Sequence, residues 1–154
     1  MRDEINMVST HIKLINELIE KKANQKLKIY GITVSQIRVV VVLKAAKNET
    51  CSMKELEKSL KLSQQNIVGL VKRLEEKKVL YSFPDKEDKR IKHVKLTDSG
   101  NQLCDTIAFE LKKMDEWILE ALTEEDKENF SSLLKKIYSH VMGDSEYSSQ
   151  ILKE

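Results

Sequence analysis

Apolar residues recur every three or four positions near the start of the chain. This spacing places them on one face of an α-helix. The positions that define it are Ile5, Val8, Ile12, Ile15, Ile19 and Ala23. The pattern predicts a long helix over residues 3–30, with Gly31 as its stop because glycine readily adopts the left-handed conformation that ends helices.

Four Ser or Thr residues mark further helix starts. In a capping box, the side chain of an N-terminal Ser or Thr and a side chain three residues later each bond to the other's backbone amide. The candidate pairs are Thr33 with Gln36, Ser52 with Glu55, Ser63 with Asn66 and Thr123 with Asp126. The last two pairs have shorter side chains at the third position.

Helical patterns follow each of these caps. The predicted helices span residues 33–47, 53–60, 63–78 and 124–142, and an apolar stripe predicts one more over 98–121. The run Val39-Val40-Val41-Val42 has the propensity of a buried strand, but the cap and the segment length favour a buried helix. Only about three residues separate the second and third of these helices, as in a helix-turn-helix.

The period changes from helical to alternating after Lys78. Residues 79–83 and 91–96 are predicted strands, with Val94 and Leu96 on one face and His93 and Lys95 on the other. Pro84 ends the first strand, and the charged run Asp85-Lys86-Glu87-Asp88-Lys89-Arg90 lies between the two. The chain is therefore predicted to be mainly α with a small β-hairpin wing.

This order of elements predicts a winged helix-turn-helix flanked by N- and C-terminal dimerisation helices. The division is a dimerisation helix over 1–32, a DNA-binding domain over 33–97, two dimerisation helices over 98–142 and a flexible tail over 143–154. The apolar stripes of the flanking helices are too long for one small domain to cover. They predict an obligate twofold homodimer built from residues 3–30 and 103–142.

Composition narrows the class of protein. Hydrophobic residues make up 40% of the 154 residues and charged residues 34%. No apolar run approaches the roughly 20 residues that cross a bilayer, and the N-terminus lacks the apolar core of a signal peptide. The expectation is a cytoplasmic protein without a membrane partner.

Charge is divided unevenly along the chain. Residues 33–97 contain 15 Lys and Arg against 8 Asp and Glu, a net charge of +7, whereas residues 98–154 have a net charge of −7. A basic middle suggests contact with a polyanion, although charge alone does not separate nucleic acid from an anionic membrane surface.

Catalytic and metal-binding patterns are sparse. There is no Ser/His/Asp or Cys/His arrangement, and four glycines in the whole chain leave little material for a phosphate-binding loop. Cys51 and Cys104 lie far apart, so two small buried hydrophobes are expected rather than redox sensors. The prediction is a protein that is not an enzyme and has no cofactor and no metal site.

Motifs over residues 32–100 resemble the MarR family of bacterial transcription regulators. The matching residues are Glu55-Leu56, Leu62-Ser63, Leu70-Val71-Lys72-Arg73-Leu74-Glu75, Asp85-x-x-Asp88-x-Arg90 and Val94-x-Leu96-Thr97-x-x-Gly100. The resemblance implies a dimeric regulator that binds double-stranded DNA at a pseudo-palindromic operator. A repressor released by a small aromatic effector is the expected form.

The resemblance also implies roles for individual residues. Helix 63–78 corresponds to the recognition helix, whose first turn lies nearest the base edges, and Gln and Asn amides pair well with adenine. Arg90 corresponds to a wing arginine that reaches the minor groove, and Asp88 to the acid that braces it; a merely solvated loop is the alternative. The implied DNA-binding residues are Ser63, Gln64, Gln65, Asn66, Gly69, Lys72, Arg73, Lys89 and Arg90.

Several positions depart from the family pattern. Val68 and Gly69 stand where many members have threonine and arginine, and Gly69 weakens a helix by about 1 kcal/mol relative to alanine while permitting close approach to DNA. Lys78 stands where a glycine usually ends the recognition helix. Tyr81 and Ser82 replace residues that are commonly basic, so an unusual preferred DNA sequence is expected.

Two further expectations concern partners. The resemblance implies an effector space between the dimerisation helices and the winged domain, with Met7, His11, Tyr30 and Trp117 as candidate lining residues; ordinary core or dimer contacts are the alternative. The rival function is a winged-helix protein-interaction module whose basic surface meets an acidic protein. The amide-rich first turn at residues 64–66 counts against that rival.

Overall fold

The structure, a computed structural model, describes residues 7–143. The predicted helical residues 3–6 and most of the predicted tail, residues 144–154, lie outside the described residues. The elements are α1 Val8–Leu27, α2 Val34–Ala45, β1 Thr50–Ser52, α3 Met53–Leu60, α4 Gln64–Glu76, β2 Leu80–Pro84, β3 Lys92–Leu96, α5 Asp98–Leu119 and α6 Glu124–Met142. This is the predicted mainly helical fold with a small sheet.

The junction between α1 and α2 is a tight turn. A 3₁₀ turn over Lys28–Tyr30 continues α1, and Gly31 stops it in the left-handed conformation, with φ of 63°. The carboxamide oxygen of Asn24 accepts a hydrogen bond from the amide of Val34 at 2.9 Å. This bond fixes the start of α2 against the end of α1.

The four-valine run is helical, as predicted. Thr33 and Gln36 form the complete capping box at the start of α2. Val39 and Val40 are buried, whereas Val41 is 51% exposed. The run is apolar on more than one side because α2 packs against α1, α3, α4 and α5 at once.

The helix-turn-helix comprises α3 and α4. Ser52 and Glu55 form the second complete capping box at the start of α3. At α4, Ser63 accepts a bond from the amide of Asn66, but no return bond from Asn66 to the Ser63 amide is formed among the described residues. The shorter side chain of Asn66 therefore leaves the capping box with only one of its two hydrogen bonds.

The predicted hairpin is present, and a third strand joins it. The antiparallel sheet has the order β1-β3-β2, with Leu80 opposite Leu96 and Cys51 opposite Val94. Sequence reasoning missed β1 because it has three residues and runs directly into the capping box of α3. Val94 and Leu96 face the core, as predicted.

The junction between β3 and α5 explains the motif that ends in Gly100. Thr97 accepts a hydrogen bond from the amide of Gly100 at 3.0 Å, and the amide of Thr97 donates to the carbonyl of Val79 at 3.1 Å. A Cβ atom on Gly100 would lie 2.0 Å from that carbonyl oxygen. Any side chain at this position would therefore force the backbone near Val79 to shift.

The flanking helices expose much of their apolar surface. The main core draws on α2, α3, α4 and the sheet, with additional contacts from the end of α1 and from one face of α5. No residue of α6 is buried. The exposed apolar residues on α1, α5 and α6 include Val8, Ile12, Ile15, Leu18, Phe109, Trp117, Phe130, Leu133, Ile137 and Val141.

None of the helices over residues 7–143 is long and apolar enough to cross a membrane.

Candidate nucleic-acid interface

The first turn of α4 presents an uninterrupted set of amide side chains to solvent. Gln64, Gln65 and Asn66 are all exposed, directly after the N-cap Ser63. The helix is held from its other side by four buried residues, Ile67, Leu70, Val71 and Leu74. Within residues 7–143, these amide side chains make no hydrogen bond to the rest of the fold.

Cations follow the amides along the exposed side of α4. Lys72 and Arg73 are exposed two turns after Gln65. Lys77, at the end of the helix, bonds instead to the carbonyl of Gly31 and lies 3.3 Å from the carboxamide oxygen of Gln36. Lys77 thus ties the end of α4 to the junction between α1 and α2.

The connection from α4 to the wing is fixed by polar side chains. Lys78 has a φ of 59°, so a lysine occupies a left-handed position that favours glycine. Thr97 and Ser99 donate hydrogen bonds to the carbonyl of Lys78. Glu75 accepts bonds from the amide and hydroxyl of Ser82, which joins α4 to β2.

The tip of the wing presents an arginine in a defined orientation. Arg90 Nε donates to Asp88 Oδ1 at 3.0 Å, and Arg90 Nη2 donates to Asp88 Oδ2 at 2.9 Å. The hydrogen bonds from Arg90 hold the pKa of Asp88 below its usual value. The Arg90 side chain is 91% exposed, so the bidentate pair orients the guanidinium while leaving it accessible, and the neighbouring Lys89 is exposed too.

A second acid, Asp85, stabilises the turn by accepting hydrogen bonds from its backbone. Asp85 Oδ1 accepts bonds from the amides of Asp88 and Glu87, and Asp85 Oδ2 lies 2.8 Å from Nε2 of His93. These bonds, the Asp88 amide first, lower the pKa of Asp85 to about 2. An aspartate at the start of a tight turn commonly accepts hydrogen bonds from the backbone amides that follow it, so the sequence carries a signal for this role.

An aromatic row covers the outer face of the hairpin. The rings of Phe83 and His93 are stacked with centroids 5.6 Å apart, and the Tyr81 ring centroid lies 5.8 Å from that of Phe83. The stack holds His93 beside Asp85. The order His93, Asp85, Asp88, Arg90 is a continuous chain of contacts from β3 to the wing tip.

The four candidate effector residues are not gathered into one site. Met7 and His11 are exposed neighbours at the start of α1, Tyr30 is half-buried against the core, and Trp117 lies on α5. Nζ of Lys22 lies 3.3 Å from the centroid of the Trp117 ring. A cleft of about 550 Å³ is lined instead by other residues, among them Asn24, Lys28, Thr33, Ser35, Leu70 and Arg73.

The two cysteines belong to β1 and α5. Cys51 is buried, and burial raises the pKa of its thiol to about 11. Cys104 is half-buried, and burial raises its pKa as well. Over residues 7–143, no group of three or more His, Cys, Asp or Glu side chains is placed to hold a metal ion.

A helix-turn-helix joined to a charged β-hairpin, with exposed amides on its second helix, defines a winged helix-turn-helix protein. The sequence model of the MarR family matches residues 30–91. The uncharacterized HTH-type transcriptional regulator YwoH of Bacillus subtilis (strain 168) is 34% identical over 118 residues, which cover 77% of this chain and 84% of YwoH. The chain belongs to the MarR family.

Solved structures agree with this assignment. The S. aureus MepR–DNA complex is 28% identical, with a TM-score of 0.75, and the match covers 87% of this chain and 98% of MepR. A mutant of MarR from E. coli, complexed with operator DNA, is 25% identical, with a TM-score of 0.74, over 87% of this chain and 95% of MarR. Both of these structures are complexes with DNA.

Proposed function

We propose that this protein is a sequence-specific, double-stranded-DNA-binding transcription regulator that acts as a dimeric repressor. The observation that carries the proposal is the exposed amide turn of α4, residues 64–66, beside a wing whose Arg90 is held by Asp88. MepR and MarR were each solved with DNA, which supports the same use of this surface. The relatives found by sequence are named as transcriptional regulators rather than as enzymes.

The proposed contacts divide into two kinds. The amides of Gln64, Gln65 and Asn66 read base edges in the major groove, with Ser63 at the helix start and Gly69 allowing close approach. The cations Lys72, Arg73 and Lys89 bind the phosphate backbone. Arg90 enters the minor groove, oriented by Asp88.

The proposed assembly is a homodimer formed by residues 1–32 and 98–142 around two winged domains of residues 33–97. Its support is the apolar surface that α1, α5 and α6 leave exposed in the single chain. A twofold dimer presents its two recognition helices to half-sites about one helical turn apart, so the operator is pseudo-palindromic.

Release by a small aromatic effector completes the proposal. One chain leaves the four candidate residues apart, so the proposed effector site needs residues of both chains of the dimer. These candidates are Met7, His11, Tyr30 and Trp117. Trp117 is the single tryptophan of the sequence, so its fluorescence reports ligand binding near α5. A phenolic compound that quenches Trp117 and displaces DNA would support this part of the proposal; quenching without displacement would contradict it.

The base-reading assignment is tested by replacing one amide and one cation of α4. Gln64→Ala should lower discrimination between the operator and random DNA by about 1–3 kcal/mol, as expected for a good base contact. Lys72→Ala should weaken binding to both DNAs and reduce the slope of log affinity against log salt by about one unit. Fluorescence anisotropy at several salt concentrations measures both effects.

The control is Lys47→Ala, which removes an exposed cation between α2 and β1, outside α4, the wing and the proposed dimer segments. It should leave the affinity for both DNAs nearly unchanged. Equal weakening of operator and random DNA by Gln64→Ala would show that the amide does not read bases.

A further inference from the structure

Two residues of α4 stand out on its exposed side because they carry no polar group. Residues of a helix are about 100° apart around its axis, so Gln65, Gly69 and Lys72 lie along one stripe. Val68 lies beside this stripe, one turn after Gln64, and is 47% exposed. The centre of the proposed DNA-facing surface is thus an apolar side chain next to a position with no side chain.

The fold does not explain either residue. A Cβ atom on Gly69 would meet nothing within 4 Å, and Gly69 is not among the residues with positive φ. Alanine at this position would favour the helix more. Val68 has a half-exposed side chain and a β-branched shape that helices disfavour. Both Val68 and Gly69 therefore make α4 less stable than alanine would at the same positions.

We propose that Val68 packs against the C5-methyl groups of thymines, and that Gly69 lets the α4 backbone approach the base edges closely enough for this contact. The inference rests on the proposed function and specifies its target, which is an operator half-site with A·T pairs at the centre of the major-groove contact. Val68 is then a specificity-determining residue.

The neighbouring side chains favour the same bases. Carboxamides such as those of Gln64 and Gln65 pair bidentately with the N6 and N7 edge of adenine. Thymine opposite that adenine places a methyl group in the same groove, where an aliphatic side chain contacts it. Guanine is read mainly by Arg or Lys, and residues 64–69 contain neither.

The test starts from duplexes that the full-length protein selects out of a randomised DNA library. The selected half-sites should share thymines at fixed positions, and each thymine is then replaced by deoxyuridine, which removes only the methyl group. Replacement of the contacted thymine should weaken binding about fourfold, the effect of losing one buried methyl-sized group. The same replacement of thymine should weaken DNA binding by the Val68→Ala variant to a smaller extent.

Val41→Ala is the matched control. Val41 is also an exposed valine on a helix, but it lies on α2, outside the helix-turn-helix pair and the wing. It should keep the full sensitivity to thymine methyl removal. Equal sensitivity of wild type and Val68→Ala would overturn the assignment of Val68.

Gly69→Ala tests the close approach separately. We expect its thermal unfolding midpoint to rise, because the new methyl meets no neighbour, while its affinity for the selected duplex falls several-fold. A raised midpoint with unchanged affinity would overturn the role of Gly69.

Failure of the inference and failure of the proposed function are distinguishable. A protein that enriches a DNA sequence but binds its deoxyuridine form equally well is a DNA-binding regulator that does not read thymine methyls. A protein that enriches no sequence contradicts both proposals.

Discussion

At the scale of single residues, the wing shows how acids and cations share one charged loop. Asp88 faces Arg90 in a two-bond pair, and Asp85 bonds two amides of the same turn and His93. The motif in the sequence indicated the pairing of Asp88 with Arg90. The contact between Asp85 and His93 could not be predicted, because it depends on the register that places the two strands side by side.

The pair of Asp88 and Arg90 should act as one unit in DNA binding. Arg90→Ala should weaken binding about tenfold or more, since a charge-assisted hydrogen bond is lost. Asp88→Ala should also weaken it, because the guanidinium loses its orientation, and the double mutant should be little worse than Arg90→Ala. Titration of each variant against one operator at fixed salt measures the coupling.

Glu87→Ala is the electrostatic control for this cycle. It removes an exposed acid from the same turn, beside the Asp88 position. A negative charge near DNA is unfavourable, so Glu87→Ala should leave binding unchanged or tighter. Tighter binding by Asp88→Ala as well would mean that Asp88 is only a solvated neighbour of Arg90.

Asp85 should contribute stability that depends on acid pH. Its pKa is about 2 in the folded chain against a usual value of 3.8, so the folded state favours the carboxylate. The contribution is fully present above pH 3.8 and is lost as the pH falls towards 2. Urea unfolding of wild type and Asp85→Asn should therefore differ above pH 3.8 and converge near pH 2; a constant difference would contradict the assignment.

At the scale of secondary structure, the sequence predicted α2, α3, α4 and α6 from a cap and an apolar period, and α1 and α5 from the apolar period alone. The bounds moved by a few residues: α4 runs from Gln64 to Glu76, and α5 ends at Leu119. The third strand was missed because three residues cannot show an alternating pattern. Its place is set by pairing of Cys51 with Val94, a contact between distant parts of the chain.

The junction of β3 with α5 gives a prediction at this scale. Gly100→Ala should destabilise the protein by about 1–3 kcal/mol, the usual cost of overpacking, because the new Cβ would lie 2.0 Å from the Val79 carbonyl oxygen. Urea unfolding measures the loss. Gly69→Ala is the matched control, since open space surrounds that position, and a similar loss in both variants would show that the effect is not steric.

At the scale of the whole molecule, the exposed polar groups and the exposed apolar residues lie on different elements. The basic winged domain exposes its wing and the polar side of α4, while the exposed apolar residues of the flanking helices belong to α1, α5 and α6. In the apolar stripe of α5, Leu111 is 37% exposed, whereas Ile107 and Met114 are buried. A sequence period identifies an apolar face, but it does not distinguish burial in one chain from burial against a partner.

The proposed dimer is tested on α6, whose apolar face has no cover within residues 7–143. Leu133 is 56% exposed and Ile137 is 45% exposed one turn later. Leu133→Glu should shift the protein towards monomers in sedimentation equilibrium and weaken operator binding, because a charge in a buried dimer contact is strongly unfavourable. Ile91→Glu is the matched control: Ile91 is 44% exposed in the wing, and its replacement should leave the dimer intact. A wild-type protein that is a folded monomer at micromolar concentration, or a Leu133→Glu variant that remains dimeric, would show that α6 does not form the interface.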